Sequence, residues 1–247
     1  QHRELLDQVL SFFKISPDYD LNLMKPNQNL YETTANILLK MKPILEKNNP
    51  QYIFVHGDTT TTLAASLASF YNESKICHIE AGLRTYNKKS PFPEEMNRQI
   101  TTRLADYHFA PTEESKKNLI NENINVNNIF VTGNTVIDSL VSSIKKVKNN
   151  PSSNIKNLSK DLKDHEMVLV TFHRRENYGN GFIRICEALK EIALKTPDKI
   201  IVFPVHLNPN VQKPVNNILS NIKNIILLEP LSYKDFIWMM NRSKLII

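Results

Sequence analysis

The chain has 247 residues, 41% hydrophobic and 23% charged, which is the balance of a folded globular protein and excludes extensive disorder. Its formal net charge is +6, but the basic residues are dispersed, so no stripe of basic and aromatic side chains predicts a nucleic-acid partner. No apolar run approaches the ~18 residues of a membrane helix, so we predict no membrane partner. Cys77 and Cys186 are too few for a disulfide framework or a cysteine-rich zinc site, and they favour a reducing, cytoplasmic setting.

Segments with strand-like and helix-like spacing of apolar residues alternate along the chain. The first half predicts a helix at 5–13, a short strand at 20–24 and a helix at 30–45, and then strands at 52–55, 75–79, 107–110 and 129–132, each followed by a helix. A polar break follows at 149–165. The second half predicts strands at 167–171, 200–203, 225–228 and from 245, separated by helices at 182–195, 211–220 and 233–241.

This alternation on both sides of a polar break predicts an α/β protein with two doubly wound, Rossmann-like domains. We place the first domain at 1–149, a linker at 150–165 and the second domain at 166–247. Because the chain opens directly on a helix and stops where a strand begins, we expect both domains to be incomplete in these residues. Ligands bind such sheets at the carboxyl ends of the strands, so chemistry is expected there.

The glycine content argues against two common nucleotide-binding loops. Five glycines occur in the chain, and neither the three-glycine dinucleotide fingerprint nor the P-loop pattern is present. The nearest approach, Gly179-Asn180-Gly181, lacks the remaining residues of either motif. We therefore predict that the protein uses no cofactor.

Carboxylate side chains follow two strands and open one helix of the first domain. Asp58 and Glu80 each lie just beyond a predicted strand, and Glu94 and Glu95 begin a helix after a proline-rich loop. Each has a local structural explanation, since Asp58 can cap a helix and acidic residues complement the helix dipole in a first turn. Three carboxylate sites at one rim repel one another, however, so together they favour a catalytic or ligand-binding role.

Basic side chains follow the strands of the second domain. His173, Arg174 and Arg175 come directly after its first strand, and His206 follows its second strand. Arginine holds phosphate through paired hydrogen bonds and histidine can donate as a cation, so this rim suits an anionic ligand. The alternative is a basic loop neutralised by Glu176. Acids in one domain and bases in the other predict a phosphate-bearing substrate that undergoes acid–base chemistry.

Six motifs together resemble those of the non-hydrolysing UDP-N-acetylglucosamine 2-epimerases, a family with a glycosyltransferase-B-like fold. The motifs, which are spread over essentially the whole chain, are HGDTTTT at 56–62, HIEAGLR at 78–84, PFPEEMNR at 91–98, TGNTVID at 132–138, HRREN at 173–177 and PVHLNPN at 204–210. An Arg- and Pro-containing loop and a Ser-Gly-Gly segment of the family are expected before Gln1 and after Ile247.

The resemblance implies a role for nine residues. The catalytic set is Asp58, Glu80, Glu94 and His173. The substrate-binding set is Asp58, Glu80, His173, Arg174, Phe236 and Leu231, the last through its backbone. Some members bind a second substrate molecule as an activator, and the matching positions here are Gln1, Arg174 and His206. The resemblance also implies a homodimer that needs neither metal nor cofactor.

The activity implied by the resemblance is reversible epimerisation at C2 of UDP-N-acetylglucosamine to UDP-N-acetylmannosamine. It supplies N-acetylmannosamine for bacterial surface polysaccharides. The C2 proton is not acidic, because C2 bears an acetamido group and no carbonyl. Departure of UDP makes C1 oxocarbenium-like and acidifies that proton. The site then needs carboxylates near C1 and C2 and cations near the departing diphosphate.

Four alternatives remain open at the level of sequence. A glycosyltransferase of the same architecture would share a UDP site but needs an acceptor groove. A hydrolysing relative would release the free sugar. A metallophosphoesterase is favoured only by the pairs Gly57-Asp58 and Gly133-Asn134. A nucleotide-sugar sensor would bind the substrate without turning it over.

Overall fold

A computed structural model describes residues 3–23, 25, 28–149, 152–162, 164–172 and 180–247. The helices are α1 (Arg3–Phe13), α2 (Leu30–Asn48), α3 (Thr60–Tyr71), α4 (Glu94–Leu104), α5 (Glu113–Asn121), α6 (Thr135–Asn149), α7 (Ser153–Leu162), α8 (Asn180–Lys195), α9 (Pro209–Leu219) and α10 (Tyr233–Arg242). The strands are β1 (Tyr52–His56), β2 (Lys75–Ile79), β3 (Tyr107–Ala110), β4 (Ile129–Val131), β5 (Met167–Leu169), β6 (Ile200–Pro204), β7 (Ile225–Leu228) and β8 (Leu245–Ile246). Within these ranges no helix is both long and apolar enough to cross a membrane.

The chain divides into two compact units. The first is essentially Ser16–Asp138, and the second is Ser139–Ile247 together with Glu4–Ile15. The first unit carries a parallel sheet in the order β1-β2-β3-β4, with α3, α4 and α5 connecting successive strands. Because neighbouring strands follow one another in sequence and run parallel, their carboxyl ends all lie along one rim.

The second unit has a parallel sheet in the order β7-β6-β5-β8, covered on both faces. Alternate residues of β5 point to opposite faces. Val168 packs in a cluster with residues of α8 and α9, whereas Met167 and Leu169 pack with residues of α7 and α10. The strand order reverses at β5, which has β6 on one side and β8 on the other. This doubly wound arrangement confirms the predicted α/β class.

Most predicted elements are present, but the strand predicted at 20–24 is wrong for its described residues, 20–23. The Asp20 side chain accepts the backbone N–H of Asn22 at 2.9 Å, and Asn22 has a left-handed φ of 44°. A local side-chain bond of this kind competes with the extended ladder of a strand. The domain boundaries at 149 and 165 stay a prediction. The compact units divide between Asp138 and Ser139, and α7 packs within the second unit.

Candidate active site

The three predicted carboxylates of the first unit come together at the carboxyl rim of its sheet. Asp58 lies two residues beyond β1, Glu80 directly follows β2, and Glu94 is the first residue of α4. The pKa of Asp58 responds to the charges of both Glu94 and Glu80, which places the three groups in one electrostatic neighbourhood. The rim therefore concentrates negative charge, as the strand-end positions predict.

Asp58 is half-buried and held on two sides. Its Oδ2 lies 3.4 Å from Nη1 of Arg98, and its backbone carbonyl accepts a 2.9 Å hydrogen bond from Nδ2 of Asn97. Burial raises the pKa of Asp58, repulsion by Glu94 and Glu80 adds to the rise, and Arg98 opposes it. A carboxyl group whose pKa is raised by burial is a stronger base than a free aspartate, which suits it to accept a proton once Arg98 holds it in the ionised form.

Glu80 sits on a strained backbone. Its φ is +66°, in the left-handed region that residues with a Cβ rarely adopt, and such outliers cluster at functional sites. Its carboxylate lies 3.5 Å from Nε2 of His56 and 3.5 Å from Nδ2 of Asn134. A Cβ on Gly57, where φ is +71°, would meet Oε2 of Glu80 at 3.3 Å. The glycine therefore leaves the space that this carboxylate occupies.

A buried histidine holds the loop that contains Gly57 in place. Nε2 of His78 lies 2.7 Å from the carbonyl oxygen of Gly57, and the side chain has no exposed surface. Burial lowers the pKa of His78 to about 4, so the ring is neutral and its Nε2–H can donate to that carbonyl. His78, the first residue of the HIEAGLR motif, thus holds the loop at Gly57 that lies against Glu80.

The adjacent residues Glu94 and Glu95 do different work. Glu95 is fully buried, and its carboxylate accepts the backbone N–H groups of Thr85 and Tyr86, each at 3.0 Å, and the side chain of Gln99 at 2.7 Å. Burial alone would raise the pKa of Glu95, but these hydrogen bonds together lower it, so it remains an ion. Glu94 is only partly buried, which leaves its carboxylate available at the rim.

Arg84, within the same motif as Glu80, is structural. Its buried guanidinium pairs with Glu122 through Nε–Oε1 and Nη2–Oε2 contacts of 2.7 and 2.8 Å, and it donates to Oγ1 of Thr102 at 2.9 Å. A paired fork of this kind uses the donors that would otherwise hold a phosphate. We therefore exclude Arg84 from the substrate-binding groups.

The predicted residues of the second unit are only partly described. Leu231 and Phe236 pack against the cluster that contains Met167 and Met239, next to the start of α10. His206 is exposed, and its Nδ1 accepts the backbone N–H of Asn208 at 3.1 Å. The remaining predicted residues lie outside the described part of the chain; they are Gln1, His173 and Arg174.

A comparison with known proteins identifies the family of the protein in which this carboxylate rim occurs. The whole chain, residues 1–247, matches the sequence model of the family described as UDP-N-acetylglucosamine 2-epimerase. The chain belongs to this family. The suspected resemblance to these epimerases is thereby confirmed.

Individual relatives of the epimerase family match the chain from end to end. The UDP-N-acetylglucosamine 2-epimerase of Campylobacter jejuni is 54% identical over 253 residues, which are 100% of this chain and 66% of the relative. The crystal structure of the Neisseria meningitidis UDP-GlcNAc 2-epimerase bound to UDP-GlcNAc is 50% identical with a TM-score of 0.88, covering 100% of this chain and 67% of that one. The Staphylococcus aureus MnaA–UDP structure is 42% identical with a TM-score of 0.87, covering 100% and 64%.

These matches bear on the fold of this family member as well. The parallel sheets and the end-to-end structural matches confirm the predicted α/β, glycosyltransferase-B-like class. The chain spans about two thirds of the length of the relatives that it matches.

Sequence reasoning missed two side chains next to the carboxylates. Arg98 and His56 stand inside motifs, but neither was assigned a function, and Glu95 was not separated from Glu94 by any pattern in the residues themselves. The spacing of Glu95 and Arg98, three residues apart in a first helical turn, was a detectable signal for an ion pair. No local pattern indicates that Arg98 also reaches Asp58, which lies forty residues earlier in the chain.

Proposed function

We propose that this protein interconverts UDP-N-acetylglucosamine and UDP-N-acetylmannosamine by eliminating and re-adding UDP. The observation that carries the proposal is the carboxylate rim formed by Asp58, Glu80 and Glu94, with the pKa of Asp58 raised by burial. Inversion at C2 needs one group to remove a proton from one face and another to return it to the opposite face. A rim with three carboxyl groups supplies that requirement. The family membership and the UDP-GlcNAc-bound Neisseria relative support the choice of substrate.

The reaction balances without an external redox partner. The C1–O bond to the diphosphate breaks with its electron pair leaving on UDP, and the C2 proton passes to a carboxylate. The products of this half-reaction are 2-acetamidoglucal and UDP. Returning a proton to the other face of C2 while UDP adds back to C1 gives the epimer. We assign Asp58, Glu80 and Glu94 to the proton transfers and to stabilising positive charge at C1.

The diphosphate is assigned to the second unit. β5 is the point at which strand order reverses, and ligands of open α/β sheets bind at such points. His173 and Arg174 follow β5 in sequence, and we propose that they contact the departing diphosphate. Phe236 and the backbone of Leu231, beside the start of α10, are proposed to contact the uracil. We further propose that Gln1, Arg174 and His206 belong to an activator site.

The test is to run the reaction in D₂O with full-length enzyme and no added nicotinamide. Elimination and re-addition predicts deuterium at C2 of the product and, as the reaction reverses, at C2 of recovered substrate. A trace of free UDP is expected from escape of the intermediate. NMR of the C2 position is the measurement. Protium retained at C2, or turnover that requires a nicotinamide, contradicts the proposal.

The same incubation separates the alternatives. Product that remains linked to UDP supports the epimerase, whereas free N-acetylmannosamine supports the hydrolysing activity. Binding of UDP-GlcNAc without turnover supports a sensor. An acceptor-dependent loss of UDP-GlcNAc supports a glycosyltransferase.

We also propose that the protein acts in the cytoplasm as a homodimer and supplies N-acetylmannosamine for surface polysaccharides. The free, buried thiols of Cys77 and Cys186 are compatible with a reducing compartment. Light scattering coupled to gel filtration of the full-length protein tests the dimer, and a single species of monomer mass contradicts it.

A further inference from the structure

Arg98 lies between a predicted catalytic carboxylate and a buried structural one. Its Nη1 is 3.4 Å from Oδ2 of Asp58, while its Nε and Nη2 lie 2.9 and 2.8 Å from Oε2 of Glu95. The guanidinium thus uses separate nitrogens for the two partners. Its side chain is 9% exposed, so solvent screens these charges weakly.

Glu95 fixes the guanidinium in place. The Glu95 carboxylate has no exposed surface and is anchored by the backbone N–H groups of Thr85 and Tyr86 and by Gln99. Because these anchors come from the loop before α4 and from α4 itself, the Glu95 side chain cannot swing without breaking several bonds at once. Arg98 is therefore held by a rigid group on the side away from Asp58.

The charges around Asp58 explain why a cation is needed there. Glu94 and Glu80 both repel an ionised Asp58, and burial also disfavours its charge. Among the described residues, Arg98 is the cation whose field acts in the opposite direction. His56 lies near Glu80 and is charged only when protonated. Without Arg98, the described residues of the rim would be three carboxylates with no permanent positive charge against Asp58.

We infer that Arg98 is a positioning residue that keeps Asp58 ionised and correctly oriented for proton transfer at C2, with Glu95 as its anchor. The inference rests on the proposed function for its link to C2. A simple structural ion pair is the competing explanation, and the same unit contains one for comparison. Arg84 pairs with Glu122 in a buried bidentate arrangement that does not include any rim carboxylate.

The experiment compares Arg98→Gln, Arg98→Lys and the structural comparator Arg84→Gln in the full-length enzyme. Arg98→Gln is expected to lower kcat about tenfold or more, with KM changing less than about threefold, and to move the acid limb of the kcat profile to higher pH. The direction follows because loss of the cation lets the neighbouring carboxylates raise the pKa of Asp58 further. Arg98→Lys keeps the charge, so the acid limb of its kcat profile should stay at the wild-type pH. Arg84→Gln should lower thermal stability but leave the acid limb of the kcat profile where it is in wild type.

An exposed residue on the same helix gives the matched charge control. Arg103→Gln removes one positive charge from α4 at an exposed position and should leave both kcat and the pH profile unchanged. In an Asp58→Asn background, Arg98→Gln should lower the residual kcat less than twofold, because its effect passes through the missing carboxylate. A full further loss in that background, or an unmoved acid limb in Arg98→Gln, overturns the inference.

A measurement without substrate separates this inference from the proposed reaction. Carbon-13 NMR of the Asp58 carboxyl group, titrated in wild type and in Arg98→Lys and Arg98→Gln, reports its ionisation directly. A titration that moves to higher pH in Arg98→Gln supports the link even if the enzyme catalyses another reaction. Identical titrations in all three proteins overturn it even if epimerisation is established. Should Arg98→Gln fail to fold, Arg98→Met takes its place, because it removes the charge and keeps an unbranched side chain in the buried position: an Asp58 titration moved to higher pH supports the inference, and an unmoved titration overturns it.

Discussion

The two units of this epimerase-family chain have interiors of different character. In the first unit fourteen described polar or charged side chains are buried, including Glu95, Arg98 and His78. In the second unit two of the described polar side chains are buried, Ser143 and Asp235, and apolar side chains fill both faces of the sheet. A polar interior is costly unless its groups are paired, but paired groups fix direction. The paired polar groups inside the first unit therefore fix the orientation of side chains at the carboxylate rim, whereas the apolar interior of the second unit mainly stabilises the fold.

The largest expected effect on stability is in the second unit. Phe203 of β6 is fully buried in the cluster formed with α8 and α9, so Phe203→Ala should destabilise the protein by about 3–5 kcal/mol through lost burial and a residual cavity. The measurement is the free energy of unfolding in urea. Leu207→Ala, at a side chain that is 62% exposed, should change it by less than about 0.5 kcal/mol. Equal losses for the two variants would contradict the apolar description of this unit.

The first-unit rim should affect catalysis and leave folding nearly unchanged. Asp58→Asn, Glu80→Gln and Glu94→Gln in the full-length enzyme should each lower kcat by about 100-fold or more, the scale of lost acid–base catalysis. Glu113→Gln is the matched control, because Glu113 is an exposed glutamate in the first turn of α5. Initial rates of epimerisation and thermal melting are measured for all four. Near-normal turnover in all three carboxamide variants would remove the acid–base assignment.

Acid should destabilise the first unit through its buried histidines. Burial lowers the pKa of His78 and of His108 from 6.5 to about 4. Between pH 6.5 and pH 4 these histidines bind protons in the unfolded chain but not in the folded chain. Their contribution to the free energy of unfolding is therefore fully present above pH 6.5 and is lost as the pH drops toward 4. The loss is of the order of a few kcal/mol. Unfolding curves at pH 7 and pH 4.5 measure it.

Substitution at these histidines sharpens the same test. His78→Gln and His108→Gln, which cannot titrate, should each flatten the dependence of stability on pH. Ser143→Ala, at a buried side chain of the second unit that does not titrate, should leave the slope as it is in wild type. A slope that survives both histidine substitutions would assign the acid sensitivity to other groups.

The smallest expected effect compares one helix cap from each unit. Oγ1 of Thr59 accepts the N–H of Thr62 at the start of α3, and Oγ of Ser232 accepts the N–H of Asp235 at the start of α10, both at 3.2 Å. Thr59→Ala and Ser232→Ala should each cost about 1 kcal/mol of stability. Because Thr59 directly follows Asp58, its replacement should also lower kcat a few-fold more than that of Ser232. Equal effects on kcat would show that the caps act only on stability.

Sequence periodicity predicted most of the fold for an identifiable reason. The strands at 75–79, 107–110 and 225–228 have the predicted bounds, because a buried parallel strand is a short apolar run ended by turn residues. The failure at 20–23 has an equally local cause, since Asp20 bonds to the backbone of Asn22 and replaces a ladder. The positions of Asp58 and Glu80 after strands and of Glu94 at a helix start also predicted that the three carboxylates would share a rim. Their catalytic roles stay a prediction.

The amino-acid sequence by itself determined the alternation of elements, the family and the places where polar side chains follow strands, because these depend on residues near one another in the chain. Only the tertiary structure decided that Glu95 is buried while Glu94 faces the rim. It also decided that Arg84 forms an ion pair with Glu122 and that Arg98 contacts Asp58. Those outcomes depend on contacts between residues 9 to 40 positions apart, from Glu95 with the N–H of Tyr86 to Arg98 with Asp58. Burial and charge pairing are set by which distant segments meet, so two adjacent glutamates that look alike in sequence take different partners once the chain has folded.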